Sequence, residues 1–440
     1  MLEIRDKRVT VVGLGHFGGQ VAAARWLVEQ GARVLITDKA MPDKLADSIK
    51  QLEGLPIELR LGEHRVEDFT RADLIVASPA VPLSNEYLRA AREAGVPITT
   101  EIRLFVERCP ATILGVTGTK GKSTTSALLG RMLEKRFTTF FGGNIGRSLL
   151  PELGKIDKTH LVVLELSSYM LEHLGAMRWS PHVSVVTMLA ADHIEWHGSL
   201  GAYLEAKKNI VRYQRPDDFA ILNEENPEGM ALARETQARA IPFGVEGRRP
   251  FELLLPGRHN QLNAQAAYAA ASVMGISWDE AQAAAASFPG LPHRLQMVHE
   301  SGGVRYYNDS IATIPEAAVA ALESFPSKCV IQIVGGYDHH LPITAMCNAL
   351  VDRAKAVLCI GQTGEQIADV LSGSPHASAA AVYRCDDLAT AVRLARQIAM
   401  PHDVVLLSTG YKSYDQFANF EERGQAFARF ARGASPDTSE

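Results

Sequence analysis

The chain has 440 residues, a length that predicts two or three domains rather than one. Its formal net charge of -5 gives no basic surface for nucleic acid, which excludes nucleic-acid binding as a main function. No apolar run approaches the length of a membrane span, and the N-terminus lacks the apolar segment of a signal peptide. We therefore expect a cytoplasmic protein with large hydrophobic cores and no membrane association.

Five cysteines are scattered along the chain without a C-x-x-C pair, at Cys109, Cys329, Cys347, Cys359 and Cys385. An odd number at irregular spacing predicts buried free thiols rather than a disulfide framework. Free thiols are typical of a reducing compartment such as the cytosol.

The first part of the chain alternates apolar runs with helical patterns. Strands are predicted at residues 8–12, 33–37, 73–78 and 96–99, and a helix at residues 17–29. Strands that alternate with helices indicate a parallel sheet wrapped by helices.

A glycine-rich turn follows the first predicted strand. Gly13, Gly15 and Gly18 form a G-x-G-x-x-G pattern, and Asp38 lies at the end of the next strand. Such glycines let the backbone approach a pyrophosphate, and the carboxylate can hold ribose hydroxyls. The pattern is typical of dinucleotide-binding dehydrogenases, but a nucleotide-sugar satisfies the same requirements. A tight strand–helix turn without a ligand is the third interpretation.

A second glycine-containing loop, G-T-K-G-K-S-T at residues 118–124, lies between an apolar strand and a helical run at residues 126–134. Its backbone N–H groups and the helix N-terminus point toward one place, which suits a polyphosphate. Lys122 can pair with the β- and γ-phosphates, and the Ser123 hydroxyl can bind Mg²⁺. Because Val116 replaces the first glycine of the usual motif, a helix start without a ligand is the alternative. The flanking strand and helix favour ATP or GTP binding.

Two further series of strands and helices follow the phosphate loop. The first has strands at residues 160–166, 183–189 and 219–223 and alanine-rich helices at 263–274 and 278–286. After a breaker-rich segment at 288–294, typical of a hinge, the second has strands at 304–308, 330–334, 357–360 and 404–407. The predicted fold class is α/β with parallel sheets, in three domains at residues 1–106, 107–293 and 294–432. Residues 433–440 are predicted to be a disordered tail.

Polar side chains follow two strands of the middle series. Glu165 ends the strand at 160–166, where the ligand crevice of an α/β sheet lies, so with Ser123 it can hold one Mg²⁺ between two phosphates. A structural ion-pair partner is the alternative role for Glu165. His193 follows the strand at 183–189 in a loop rich in charged residues, which leaves open a metal site, a proton-transfer group or a solvated loop.

Several motifs together resemble the Mur ligases, a family that joins amino acids to the peptidoglycan precursor using ATP. They are T-G-T-K-G-K-S-T (117–124), G-G-N-I-G (142–146), L-E-L-S-S-Y (164–169), D-H-I-E-W-H-G (192–198) and G-R-H-N-Q-L-N-A (257–264). N-D-S-I-A-T (308–313) and S-Y-D-Q-F-A-N-F-E-E-R-G (413–424) are similar to the branch that adds D-glutamate. The resemblance implies a Rossmann-like UDP-sugar domain, a central P-loop ATPase domain and a Rossmann-like C-terminal domain that brings the amino acid.

The resemblance also implies roles for individual residues. Implied nucleotide contacts are Gly118, Thr119, Lys120, Gly121, Lys122, Ser123, Thr124, Asn260, Asn263, Arg294 and Asp309, the last two reached when the third domain closes. A helix N-cap is the alternative role for Asn263. Implied substrate contacts are Gly15, His16, Phe17, Asp38, Asn144, Ser167, Thr313, His339, Lys412, Ser413 and Phe420. Implied ligands of two Mg²⁺ ions are Ser123, Glu165, His193 and a Lys207 carbamylated by CO₂, and Lys122, His193 and Lys207 are the implied catalytic residues.

The implied reaction joins glutamate to UDP-N-acetylmuramoyl-L-alanine. ATP would phosphorylate the carboxylate to an acyl phosphate, which the amine attacks. The family implies a monomer and D-glutamate as the amino acid, with L-glutamate as the alternative. From other classes, an NAD-dependent oxidoreductase would use the G-x-G-x-x-G turn, and a nucleotide-gated binding protein would hold ATP without transferring phosphate. A folylpolyglutamate synthase shares the chemistry but lacks a Rossmann-like first domain.

The C-terminal region departs from the family pattern around the amino acid. Ile311 stands where N-D-S-K-A-T has lysine, and residues 337–342 lack the cation usually found after the glycine pair. His339 or His340 could replace that cation, and Lys412 could restore it. Because an Arg or Lys grips a carboxylate differently from a histidine, the sequence leaves the identity of the amino acid open.

Overall fold

A computed structural model describes residues 3–15, 18–82, 84–145, 148–192, 194–338, 340–373 and 380–433. The chain forms two compact units. Unit 1 consists of Met1–Arg249 with Leu262–Ala284, and unit 2 of Pro250–Gln261 with Ala285–Glu440. Unit 1 contains two sheets and unit 2 contains one.

The first sheet of unit 1 has five parallel strands in the order β3-β2-β1-β4-β5. These strands are β1 (Arg8–Val12), β2 (Arg33–Asp38), β3 (Ile57–Leu61), β4 (Leu74–Ala77) and β5 (Ile98–Thr100). Its helices are α1 (Gly19–Glu29), α2 (Ala46–Lys50), α3 (Val66–Thr70), α4 (Glu86–Glu93) and α5 (Glu101–Arg108), with a 3₁₀ turn at Pro42–Leu45. The strands β1 and β4 are apolar and buried because helices cover both faces of a parallel sheet.

The second sheet of unit 1 has six parallel strands in the order β11-β10-β9-β6-β8-β7. They are β6 (Thr112–Thr117), β7 (Thr139–Gly143), β8 (Leu161–Glu165), β9 (Val183–Val186), β10 (Phe219–Asn223) and β11 (Arg239–Phe243). The helices are α6 (Lys122–Leu133), α7 (Ser168–Ala176), α8 (Ile194–His197), α9 (Leu200–Arg212), α10 (Pro227–Ala231), α11 (Arg258–Val273) and α12 (Trp278–Ala286), with 3₁₀ turns at Leu150–Lys155 and Leu232–Arg234. One hydrophobic core includes Val9 and Val11 of the first sheet and Val162 and Leu164 of the second.

The sheet of unit 2 has six strands in the order β12-β13-β17-β14-β15-β16. They are β12 (Gln296–Ser301), β13 (Val304–Asn308), β14 (Val330–Val334), β15 (Ala354–Cys359), β16 (Ala381–Arg384) and β17 (Val404–Leu407). The pair β12–β13 is antiparallel and the other pairs are parallel. The helices are α13 (Pro315–Glu323), α14 (Thr344–Arg353), α15 (Gly364–Ser372), α16 (Leu388–Ile398) and α17 (Phe420–Ala431).

The α/β class predicted from sequence is confirmed, and the central strands β1, β10, β13, β14 and β17 have the predicted bounds. Five strands were not predicted: β3, β7, β11, β12 and β16. All five lie at the edges of their sheets, where a strand is partly exposed and does not need a continuous apolar sequence.

Two smaller expectations are corrected. Cys347, Cys359 and Cys385 are buried free thiols as predicted, but Cys109 and Cys329 are only half-buried. The helix predicted at 263–274 begins five residues earlier, at Arg258. The predicted disordered tail lies outside the described residues except for its first residue, Gly433. Among the residues described, no helix combines the length and the apolar character needed to cross a membrane.

Candidate functional site

The phosphate loop predicted from sequence connects β6 to α6 in unit 1. Gly118 and Gly121 have φ values of 151° and 87°, which favour glycine. A Cβ atom on Gly118 would lie 2.0 Å from Thr187 Oγ1, so the loop lies too close to the end of β9 for any side chain there. Thr119 N donates to Met188 O at 2.6 Å, and Thr187 Oγ1 donates to Lys120 O at 2.6 Å. These bonds fix the loop against the neighbouring strand.

Lys122 begins α6, directly after the N-cap residue Gly121. Its Nζ donates to Gly118 O at 3.0 Å and to Thr119 O at 3.1 Å, so the lysine lies over the phosphate loop. Ser123 and Thr124 follow in the first turn and are each 7% exposed. The first turn therefore presents backbone N–H groups, an ammonium and a hydroxyl in one place, the donor set that a triphosphate with Mg²⁺ requires.

Asn263 lies inside α11 rather than at its start, so the alternative of a helix N-cap is wrong. Its Oδ1 accepts a hydrogen bond from Thr125 Oγ1 at 3.3 Å and would lie 2.4 Å from a Cβ atom on Gly121. Asn263 therefore packs against the phosphate loop. Asn260 belongs to unit 2 and donates from Nδ2 to Pro256 O at 2.7 Å.

Lys207 on α9 is 2% exposed, and its Nζ lies 5.0 Å from the ring centre of Tyr203. The ammonium donates to Thr117 Oγ1 at 3.2 Å and to Gly118 O at 3.1 Å, both at the start of the phosphate loop. Burial and the nearby Lys122 lower its pKa to about 7, against the opposing effect of Asp192 and Glu165. Lys207 is therefore a buried amine directly beneath the phosphate loop.

Glu165 ends β8 and is 2% exposed. Asn144 Nδ2 donates to Glu165 Oε1 at 2.9 Å, and Asn144 N donates to the Glu165 carbonyl at 2.8 Å. Glu165 Oε2 is buried and accepts no hydrogen bond from any described residue. A buried carboxylate oxygen without a partner is costly, and a cation at this point would satisfy it. The oxygen donors of Glu165 and Ser123 suit Mg²⁺.

The predicted metal ligand His193 lies outside the described residues, as do the predicted substrate contacts His16, Phe17 and His339. Within the described part of the chain, no three histidine, cysteine, aspartate or glutamate side chains form a group that could hold a metal. Asp192, next to His193, raises the pKa of Tyr203 together with burial. The second metal site implied by the resemblance thus depends on a residue that the structure does not describe.

A cavity of about 600 Å³ in unit 1 joins the two glycine-containing loops. The predicted residues that line it are Gly15, Lys122, Asn144, Ser167 and Lys207. Ser167 also accepts a hydrogen bond from Met170 N at 3.3 Å and so caps α7. Since Gly13 and Gly15 follow β1 while Lys122 follows β6, loops of both sheets face one space.

Asp38 is not among the described residues that line this cavity. Its Oδ2 accepts from Gly15 N at 3.3 Å and its Oδ1 from Ala40 N at 2.8 Å. These bonds hold the carboxylate beside the glycine-rich turn. The predicted contact of Asp38 with a ribose stays a prediction.

Glu101 and Ser148 are among the polar residues that line the cavity and that sequence reasoning missed. Glu101 is 7% exposed, and its carboxyl group accepts a hydrogen bond from Ser148 Oγ. Burial raises the pKa of Glu101 to about 7. Only the position of Glu101 directly after β5 could have indicated a site residue, because that is the carboxyl edge of the sheet.

Several of the site residues predicted in unit 2 lie on loops that follow its strands. Asp309 follows β13, is 5% exposed, and accepts from Leu295 N at 3.0 Å and Ser408 Oγ at 2.7 Å. Burial raises the pKa of Asp309 to about 7. Ser413 is buried, Thr313 and Phe420 are half-buried, and Arg294 and Lys412 are exposed.

The fold and the site define a multidomain P-loop nucleotide-binding protein with a second, glycine-rich ligand loop. Three family models match the chain: "Mur ligase MurD-like, N-terminal domain" at residues 7–100, "Mur ligase middle domain" at 116–252, and "Mur ligase, glutamate ligase domain" at 293–409. The chain belongs to the Mur ligase family.

Similar proteins span its whole length. UDP-N-acetylmuramoylalanine–D-glutamate ligase of Roseiflexus sp. (strain RS-1) is 41% identical over 461 residues, covering 97% of this chain and 99% of the relative. The enzyme of that name from Anaeromyxobacter dehalogenans is 38% identical, covering 98% of each chain. The crystal structure of UDP-N-acetylmuramate-alanine ligase from Thermotoga maritima is similar with a TM-score of 0.59 at 22% identity, covering 98% of this chain and 100% of that one. At that identity the likeness concerns the fold alone.

Proposed function

We propose that this protein is an ATP-dependent ligase that joins D-glutamate to UDP-N-acetylmuramoyl-L-alanine during peptidoglycan precursor synthesis. The names of the relatives from Roseiflexus and Anaeromyxobacter support D-glutamate as the amino acid, and the similarity to both relatives extends over nearly the whole chain. The match of the third domain to a glutamate ligase domain supports the same amino acid. No observation favours L-glutamate.

The single observation that carries the proposal is the cavity shared by the two ligand loops. Gly13 and Gly15 at one wall suit the diphosphate of a nucleotide-sugar, and Lys122 and Lys207 at another wall belong to the phosphate loop and its support. A nucleotide-sugar in this cavity would present its acid end to the phosphate loop. A dehydrogenase needs the first loop alone and leaves Lys122 and Lys207 without a role.

Activation of the acid requires a phosphoryl donor and a cation that offsets the negative charge of the phosphates. ATP supplies the phosphoryl group, and Mg²⁺ offsets phosphate charge when bound. Ser123 and Glu165 would hold the ion, since Glu165 Oε2 has no partner among the described residues. Lys122 would replace its bonds to Gly118 O and Thr119 O with bonds to phosphate oxygens and so stabilise the charge that develops there.

We also propose that CO₂ carbamylates Lys207 and that the product, with His193, holds a second Mg²⁺. The geometry supports this modification because, among the described residues, an ammonium 2% exposed beneath a phosphate loop has only neutral oxygens as hydrogen-bond acceptors. The ammonium first loses one proton to become a neutral amine, and bond formation between Nζ and the carbon of CO₂ then releases a second proton. The lysine becomes an anionic oxygen donor, which suits Mg²⁺.

In unit 2 we propose that Lys412 supplies the cation missing after Gly335–Gly336. Tyr337 N donates to Lys412 O at 2.9 Å, so the backbone of Lys412 pairs with the segment in which the family usually has that cation. The side chain of Lys412 is exposed and available to a carboxylate. Thr313, Ser413 and Phe420 are the proposed further contacts of glutamate, and His339 or His340 is the alternative cation.

The remaining assignments follow from the family. Gly118 to Thr124, Asn260, Asn263, Arg294 and Asp309 are proposed nucleotide contacts, and Gly15, Asp38, Asn144 and Ser167 are proposed contacts of the UDP-sugar. We further propose a cytoplasmic location, which the five unpaired thiols support, and a monomeric enzyme. The bounds 1–106, 107–293 and 294–432 are the proposed domain limits.

Phosphate release from ATP tests the reaction. The assay contains UDP-N-acetylmuramoyl-L-alanine with D-glutamate, L-glutamate or no amino acid in parallel. We expect release only with both substrates, faster with D-glutamate, and a loss of at least about 100-fold in Lys122→Ala. The exposed lysine after α6 gives a matched control, Lys135→Ala, which should keep full activity. Absence of phosphate release together with NAD(H) binding would favour the dehydrogenase instead.

A further inference from the structure

Arg423 on α17 is a buried cation in unit 2, with 1% of its surface exposed. Its Nε donates to Ser310 Oγ at 2.9 Å, one terminal nitrogen to Ser310 O at 2.8 Å and the other to Tyr411 O at 3.0 Å. All three acceptors are neutral oxygens. Because burying a charge is expensive, a guanidinium held this way is expected to have a specific role.

No ion pair within the described part of the chain neutralises the charge of Arg423. Among the described residues, no carboxylate oxygen lies within ion-pair distance of its guanidinium. Burial lowers its pKa to about 10, and Asp415 opposes that shift from a distance. The carboxylate of Asp415 itself accepts a hydrogen bond from Gln362 N at 3.1 Å. Arg423 therefore stays protonated at neutral pH, and its charge has no ion-pair partner among the described residues.

Arg423 links two loops at the carboxyl edge of the sheet by hydrogen bonds and lies beside a third. Ser310 follows β13, Tyr411 follows β17 and Gly336 follows β14, which are three adjacent strands. A Cβ atom on Gly336 would lie 3.5 Å from a terminal nitrogen of Arg423. In sheets of this type, ligands bind outside the carboxyl ends of the strands. Lys412, the proposed glutamate contact, directly follows Tyr411.

We propose that Arg423 is a positioning residue for an acidic amino acid: its hydrogen bonds fix the loops after β13 and β17 beside the loop after β14, and its unpaired charge attracts a substrate with a second carboxylate. This inference rests on the proposed function. It also accounts for a glutamate subsite in a chain that has Ile311 in place of the family's lysine. A low effective dielectric inside the protein lets a buried charge act on a ligand that it does not touch.

The test compares Arg423→Met and Arg423→Lys with Arg429→Met, an exposed arginine on the same helix. KM values for D-glutamate and for UDP-N-acetylmuramoyl-L-alanine are measured separately, because a KM does not depend on the fraction of folded enzyme. We expect Arg423→Met to raise the KM for glutamate about tenfold or more and to leave the KM for the sugar nucleotide within about twofold. Arg423→Lys should recover part of the loss, and Arg429→Met should match the unmodified protein.

Equal changes in both KM values, or no change in either, would overturn the inference. If Arg423→Met fails to fold, Arg423→Lys decides alone, since an unchanged KM for glutamate in that variant would also overturn it. An inactive unmodified protein would instead contradict the proposed function, so the two failures are distinguishable.

Discussion

Replacing Glu101 with glutamine should stabilise the protein at alkaline pH and not at acid pH. Glu101 begins α5 and is 7% exposed, and its carboxyl group accepts a hydrogen bond from Ser148 Oγ. Burial raises its pKa from 4.5 to about 7, against the opposing effect of the Ser148 hydrogen bond. Glutamine has nearly the same shape, can accept the same hydrogen bond and carries no charge at any pH.

The size and sign of the effect follow from the two pKa values. In the unfolded chain Glu101 loses its proton near pH 4.5, whereas in the folded chain it keeps the proton until about pH 7. The unfolded state therefore binds fewer protons between these values, so the free energy of unfolding falls as the pH rises through this window. Between pH 5 and pH 8 the free energy of unfolding of the unmodified chain falls by about 2–3 kcal/mol relative to that of the glutamine variant, since one pKa unit corresponds to ~1.4 kcal/mol.

Thermal unfolding at pH 5 and pH 8 measures this difference in the ligand-free protein. At pH 8 we expect Glu101→Gln to melt about 5 °C higher than the unmodified chain, with a much smaller difference at pH 5. Glu53→Gln at an exposed position is the control and should not change the melting temperature at either pH. An equal difference between Glu101→Gln and the unmodified chain at both pH values would refute the reasoning.

Three further predictions concern the phosphate loop. Gly118→Ala should abolish ATP turnover, because its Cβ would collide with Thr187 Oγ1. Gly130→Ala inside α6 is the control, since a Cβ there has no described neighbour within 4 Å. This variant should keep turnover and stabilise the helix by about 0.5–1 kcal/mol in thermal melts. Lys207→Ala should lose turnover, and added acetate should restore part of it by supplying a carboxylate in place of the carbamate. If acetate restores no turnover, the proposed carbamate on Lys207 is refuted. Asn144→Ala should raise the Mg²⁺ concentration needed for half-maximal phosphate release, because Glu165 Oε1 loses the hydrogen bond that orients it. A Mg²⁺ titration of the phosphate release rate measures this change.

The central strands could be predicted from sequence because both of their faces are covered. Residues such as Val9, Ile221 and Ile331 must be apolar wherever helices pack on the two sides of a sheet. Edge strands carry no such requirement, since Glu58 and Arg60 of β3 or Arg239 of β11 can face water. β12 pairs with the next strand, β13, but a strand such as β16 pairs with β15 across an intervening helix, and the apolar pattern alone does not identify such a partner.

The phosphate loop was also predictable because its function depends on local order: a strand, glycines at positive φ and a helix that begins with lysine and serine. The family resemblance implied a nucleotide contact at Asn263, but it did not reveal the hydrogen bond with Thr125, since that bond joins residues 138 positions apart. The resemblance likewise implied a role for Lys207, but its hydrogen bond to Gly118 O could not be read from two positions so far apart in sequence.

By itself, the sequence determined the α/β class, the position of the two glycine-containing loops and the family, because each depends on short-range patterns of apolar residues, glycines and charges. Tertiary structure alone decided which charged groups lose contact with water. Glu101 and Arg423 resemble surface residues in the sequence, since acidic and basic side chains are mostly exposed. Their burial, and with it their pKa and proposed roles, depends on segments that meet only when the chain folds.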